Sequence, residues 1–177
     1  MKSDWKTKQT YLEVYRKSHN NAVHLMEEAK LLFKHKHFSR AYFLAYTALE
    51  EISKSQHAAD VATEFSNEKE FIESFKNHHH KIARVGWAYY EAKSHPFSWI
   101  GPDKDDIEEI VTDKPLWDKR QDSLYVGVDG KTIRVPSEQI SQSDAKGIIH
   151  IVETALHQIW EMEEYWGHQI GTKGFMK

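Results

Sequence analysis

Two short patterns in this chain have the residue types and spacing that proton transfer beside a phosphodiester would need. The first is Glu50-Glu51-Ile52-Ser53-Lys54, two adjacent carboxylates followed by an ammonium. The second is His78-His79-His80-Lys81, an imidazole with an ammonium three residues further on. Histidine titrates nearest neutrality, so it serves either half of an acid–base exchange. Lysine supplies positive charge for phosphoryl oxygens, and a carboxylate beside the imidazole orients it and raises its pKa. A Glu–His–Lys network that only registers two helices would use the same residues, and from the residues alone both readings stand.

The elements that must position these groups are helices. Ser39 is expected to cap a helix over about 40–57, in which Ala41, Leu44, Ala48, Ile52 and Ser55 share one face. Glu51 then lies at the edge of that face. Glu50 points away, where it would pair with Lys54 one turn on. Residues 58–66 read as a connection. Asn67 with Glu70 resembles a capping box that starts a third helix. Its seam is Phe71, Phe75, His78, Ile82, Val85 and Tyr89, at alternating spacings of four and three. His78 takes a place in this seam where leucine would be ordinary, and a buried imidazole needs a partner. Antiparallel packing of the second and third helices would bring Glu51 to His78.

The same periodicity marks a first helix over about 8–33, with Tyr11, Tyr15, Ser18, Ala22, Leu25, Ala29 and Leu32 on its seam. A last helix carries Ile148, Val152, Ala155, Ile159, Met162 and Trp166, with Ser141 or Ser143 as its cap. Between 94 and 142 the helical period is lost, apart from a short helix at 105–111, and Pro96, Pro102 and Pro115 punctuate the stretch. Within it, residues about 123–135 read as a β-hairpin on a type I′ turn at Asp129-Gly130. The expected fold class is therefore all-α. It is an up-down four-helix bundle formed by residues 1–177 as one domain, with a β-hairpin insertion between the third and fourth long helices.

Composition narrows the function classes. The chain has 177 residues, 40% of them hydrophobic, and no cysteine. A disulfide scaffold and a thiolate zinc site are thereby excluded, and with no apolar leader at the N-terminus a cytoplasmic location is the simple reading. No apolar run is long enough to span a membrane. The net charge of −3 gives no global advertisement for nucleic acid, but basic residues cluster at Lys34-His35-Lys36-His37 with Arg40, and again from Lys76 to Arg84. A solvated helix end would account for the first cluster and a solvated helix flank for the second. His150, Glu153, His157 and Glu161 form a stripe opposite the apolar seam of the last helix, and no Glu is followed by His at the spacing of di-iron bundles. No metal and no cofactor is expected. Phosphate-binding glycine loops, nucleophile elbows and zinc-protease motifs are all absent.

Taken in order, several segments resemble the AbiV-type abortive infection proteins, a branch of the HEPN superfamily of small helical bundles. They are SRAYFLAYTALEEISKS from Ser39 to Ser55, FKNHHHKI from Phe75 to Ile82, KRQDSLYV from Lys119 to Val126, and the lead-in from Pro136 to Ile140. The resemblance implies a HEPN-like bundle that defends bacteria against phage by stopping growth or translation in infected cells. It also implies a homodimer, and RNA as a target. The family's E-E-x-x-K falls on Glu50, Glu51 and Lys54, and its H-x-x-K on His78 and Lys81; these are the catalytic candidates. The basic residue before LYV falls on Arg120. With Lys119 and Arg84 it forms the candidate set for RNA or phosphate. HEPN ribonucleases carry an Arg followed, after four to six residues, by a His. None of Arg16, Arg40, Arg84, Arg120 and Arg134 meets that spacing, so ribonuclease activity is not carried over by motif. Gly127 stands where the family pattern is expected to have an acid, with Asp129 close by. The alternative is a non-enzymatic module that binds a phage or host protein. A weaker one is a bundle that holds a nucleotide phosphate between Lys54, Lys81 and Arg120.

Overall fold

The computed structural model describes residues 5–74, 76 and 114–165. His78, Lys81, Arg84, the seam of the third helix from Phe75 onward and the short helix expected at 105–111 lie outside the described residues.

Helix α1 (Trp5–Lys34) and helix α2 (Phe38–Ala62) form a helical hairpin. Most of the expected α1 seam is buried: Tyr11, Tyr15, Ser18, Ala22 and Ala29 are buried, Leu25 and Leu32 are half-buried against the core, and Met26 joins them. Across from it lie Ala41, Ala45, Ala48 and Ile52, each with no exposed surface. Alanine on both helices removes side-chain bulk, so the backbones approach closely and α2 is covered along its length.

Two boundaries of α2 differ from the sequence expectation. It starts at Phe38 with His37 as the N-cap residue, and Ser39 sits inside the first turn, buried. The cause is the end of α1. The His37 N–H donates to the Leu32 carbonyl and the Lys36 N–H to the Phe33 carbonyl, both at 2.9 Å, with Lys36 at φ 62°. This is a Schellman closure, and its last residue is already the cap of the next helix. A tilted ring contact between Phe33 and Phe38, with centroids 5.4 Å apart, fixes the entry. At the other end, residues 58–62 belong to the helix rather than to a connection, because Ala58, Ala59, Val61 and Ala62 pack with Tyr11 and Tyr15 into a second core cluster. There α2 closes the same way, with Phe65 N–H on the Asp60 carbonyl and Glu64 at φ 64°.

Helix α3 (Glu68–Ser74) starts as expected: the Glu70 N–H donates to Asn67 Oδ1 at 3.1 Å. Phe71, first on the expected seam, meets Tyr11 edge-on at 5.0 Å between centroids.

The stretch expected to lack helix outside 105–111 contains two among its described residues. Helix α4 (Lys114–Asp122) is built on Lys114-Pro115, which opens a helix instead of breaking one. Proline's fixed φ suits the first turn, where its missing N–H costs nothing. Leu116 and Trp117 pack on the main core, and the Tyr42 hydroxyl donates to the Leu116 carbonyl at 3.4 Å. Strands β1 (Gly127–Asp129) and β2 (Thr132–Arg134) follow, paired antiparallel with Val128 opposite Ile133. The hairpin is shorter than expected, and its two-residue loop is Gly130-Lys131. Only Gly130 has positive φ, at 59°. A type I′ turn needs positive φ at both loop positions, whereas glycine at the first alone is the type II′ pattern. Val128 and Ile133 are 72% and 64% exposed, so the hairpin adds little to the core.

Helix α5 (Pro136–Gln139) leads through the buried Ile140 to helix α6 (Gln142–Tyr165). Ser141 is the cap: the Asp144 N–H donates to Ser141 Oγ at 3.1 Å, while the Ser141 N–H and hydroxyl donate to Asp144 Oδ2 at 2.9 and 2.6 Å. Ile148, Val152 and Ala155 are buried against α2 and α1, and Glu153 pairs with Lys30 across the interface. The described part of the chain is mostly helical, and none of its helices is long and apolar enough to cross a membrane.

Candidate functional site

Helix α2 has two seams. One is the alanine-rich face against α1. The other is Phe43, Tyr46, Glu50, Ser53, His57 and Asp60, at spacings of three, four, three, four and three, on the opposite side of the helix. Ser53 and Asp60 are buried, His57 is 9% exposed, and the Glu50 side chain 13%. Helix α4 lies on this second seam. The Arg120 guanidinium sits 4.9 Å from the Trp117 ring centroid, 5.3 Å from that of Phe43 and 5.8 Å from that of Tyr46. Its Nη2 lies 3.8 Å from Glu50 Oε2. Three aromatic walls and one carboxylate thus hold a guanidinium whose own side chain is 17% exposed.

Glu50 therefore does not form the surface pair with Lys54 that helical spacing suggests. Lys54 pairs with Glu51 instead, one turn back, with both side chains partly buried. Glu50 turns toward α4 because Arg120 is presented there. Both carboxylates of the Glu-Glu-x-x-Lys pattern thus face cations, one from its own helix and one from the inserted segment.

Lys119, beside Arg120, is engaged by Asp144 of α6. Burial pushes the Asp144 carboxyl up, but hydrogen bonds from Lys119 and Ser141 outweigh it and hold the group below the ordinary aspartate range. Burial pushes the Tyr46 phenol up to about 12, with the Glu50 charge adding and Arg120 opposing, so Tyr46 stays a neutral donor. Tyr42 is raised further, chiefly by burial.

Gly127 has a local explanation. A Cβ there would lie 3.4 Å from Nε and Nη2 of Arg134, and the Arg134 guanidinium lies 3.5 Å from Asp122. The cation that an acid at 127 would meet is met by Asp122. Asp129, at the end of β1, is exposed.

The structure thus brings together Glu50 and Arg120, and Glu51 and Lys54. It pairs Lys119 with Asp144 of α6, while His78, Lys81 and Arg84 lie outside the described residues. Sequence reasoning did not single out the second seam. Its signal is legible in retrospect: Phe43 and Tyr46 start a heptad-like alternation that Glu50, Ser53, His57 and Asp60 continue. A polar seam reads as a solvated face until its first aromatic members are taken with it. On α6, Glu153 pairs with Lys30, and His150 and His157 are exposed. Among the described residues no three His, Asp or Glu gather as a metal site would require.

A long central helix with a Glu-Glu-x-x-Lys edge, clasped by an arginine from a segment inserted before the last helix, defines a particular kind of helical domain. The HEPN_AbiV family model, described as AbiV, matches residues 10–157. The chain belongs to this family, a membership that supports a role in abortive-infection defence against phage. Comparison with curated proteins and with solved structures returns no match.

Proposed function

We propose that the protein is a phage-defence effector of HEPN type that acts on RNA or on the translation machinery of infected cells. In this reading the third helix continues beyond Ser74 and completes an up-down four-helix bundle. His78 and Lys81 then stand against the α2 edge, and the protein works as a homodimer in the cytoplasm. The observation that carries the reading is the state of that edge: Glu50 and Glu51 are both partly buried and both compensated, by Arg120 and Lys54. Such an edge orients a neighbouring imidazole without competing for its proton. His78 is the acid or base, and Lys81 faces the phosphoryl oxygens.

The test is phage plating and growth arrest in bacteria carrying the protein, alongside thermal melting of the purified chain. His78→Ala and Lys81→Ala are expected to abolish protection with the melting temperature nearly unchanged. Full protection by both variants would sink the catalytic assignment.

A second reading, an interaction module that binds a phage or host protein, is favoured by the aromatic enclosure of Arg120, which is how a structural ion pair is built. It expects His78→Ala to lower the melting temperature by several degrees, as the loss of a buried hydrogen bond does.

A further inference from the structure

We propose that the turn between α1 and α2 is a docking surface for the phosphodiester backbone of a nucleic acid. Lys34, His35, Lys36, His37 and Arg40 are all exposed there. From Ala29 to Leu49 the chain has no acidic residue, although its net charge is −3. Elsewhere Lys17, Lys30, Lys54, Lys119, Arg120 and Arg134 each sit against a carboxylate. Lys34, Lys36 and Arg40 form no ion pair among the described residues. Along α1 the nearest acids, Glu27 and Glu28, lie about two turns back, and Glu153 of α6 is taken by Lys30.

The display is fixed rather than loose. The Schellman closure holds Lys36 in the left-handed region, and Phe33 on Phe38 anchors both flanks. An array of uncompensated cations on a rigid turn matches a polymer that carries one charge per residue. The imidazoles of His35 and His37, between these cations, add N–H donors. A protein partner needs an apolar anchor at the centre of its contact, and a membrane needs several apolar side chains to insert. Leu31 is the one large apolar residue strongly exposed near this turn among the described residues. The proposal extends the RNA reading above to a second place on the molecule, and it does not require the α2 edge to be catalytic.

The experiment is fluorescence anisotropy of a labelled single-stranded 20-mer RNA, and of the DNA of the same sequence, titrated with the full chain at several salt concentrations. The comparison is with a combined Lys34→Gln, Lys36→Gly, Arg40→Gln variant whose folding is checked by circular dichroism. Wild type is expected to bind with an affinity that falls as salt rises. The variant is expected to bind about tenfold or more weakly, with a log–log salt slope shallower by about two, at roughly 0.7 per phosphate contact. The DNA arm tells whether the 2′-hydroxyl contributes. Equal affinity and slope in the folded variant would overturn the proposal, as would absence of salt-dependent binding by wild type. So would tighter binding to phosphatidylserine vesicles than to either nucleic acid. RNA binding lost in Lys81→Ala but kept in the combined variant would place the contact at the α2 edge, overturning this proposal and leaving the proposed function standing.

Discussion

Arg120 shows how much one side chain can decide. It neutralises Glu50, fills the space between three aromatic rings and fastens the inserted helix to the centre of the fold. Arg120→Ala deprives a partly buried carboxylate of its guanidinium and opens a hole among Phe43, Tyr46 and Trp117. The expected cost is about 3 kcal/mol, read as a melting temperature lower by roughly 5–10 °C. Arg120→Lys should recover only part, since an ammonium cannot stack on the rings as a planar guanidinium does. His19 gives a prediction in pH. Burial lowers its pKa below the ordinary histidine value, and its Nδ1 has no hydrogen-bond partner among the described residues. The unfolded chain therefore takes up the proton first as pH falls. The contribution of His19 to stability is complete above about 6.5, the unfolded value, and is lost as pH falls from there through the folded value. Urea unfolding at pH 7.5, 6.5 and 5.5 should show this loss, and His19→Gln should flatten it.

Among the elements, the helix ends departed most from pattern reading. Asn67 and Ser141 were legible as caps because their side-chain oxygens reach backbone donors nearby in sequence. The α1–α2 turn was not, since its closure uses main-chain bonds and places a lysine where glycine is usual. Lys36→Gly should therefore stabilise the protein by about 0.5–1 kcal/mol by relieving the left-handed residue, measured as a higher urea midpoint. No change, or a loss, would mean that the lysine side chain makes a compensating contact. Helix α4 was hidden for another reason. Its nine residues are too few to show a period, and the docking of Leu116, Trp117 and Arg120 gives them a reason to be helical.

At the scale of the whole molecule, the core is a close stack of α1, α2 and α6 around alanine-lined contacts. Ala48 has no exposed surface and sits within the main core cluster. Ala48→Leu should cost about 1–3 kcal/mol by forcing the helices apart, seen as a lower denaturant midpoint. Ala48→Gly would not test the same point, because it removes bulk. The hairpin stands at the other extreme, with its cross-strand pair Val128 and Ile133 turned outward.

The sequence by itself determined the first, second and last helices, most of the apolar seams of the first and last as far as they are described, the cap at Asn67, the last cap to within Ser141 or Ser143, the presence of a hairpin and the family. These follow from spacing and from contacts between residues close along the chain. Tertiary structure decided where the polar residues of α2 go. Glu50 reads as a solvent-facing partner of Lys54 on a helical wheel. It pairs with Arg120 because a segment distant in sequence is folded onto a face that local periodicity marks as outer. Periodicity reports which side of a helix is apolar. It carries no information about which remote cation arrives to make a second, polar side inner as well.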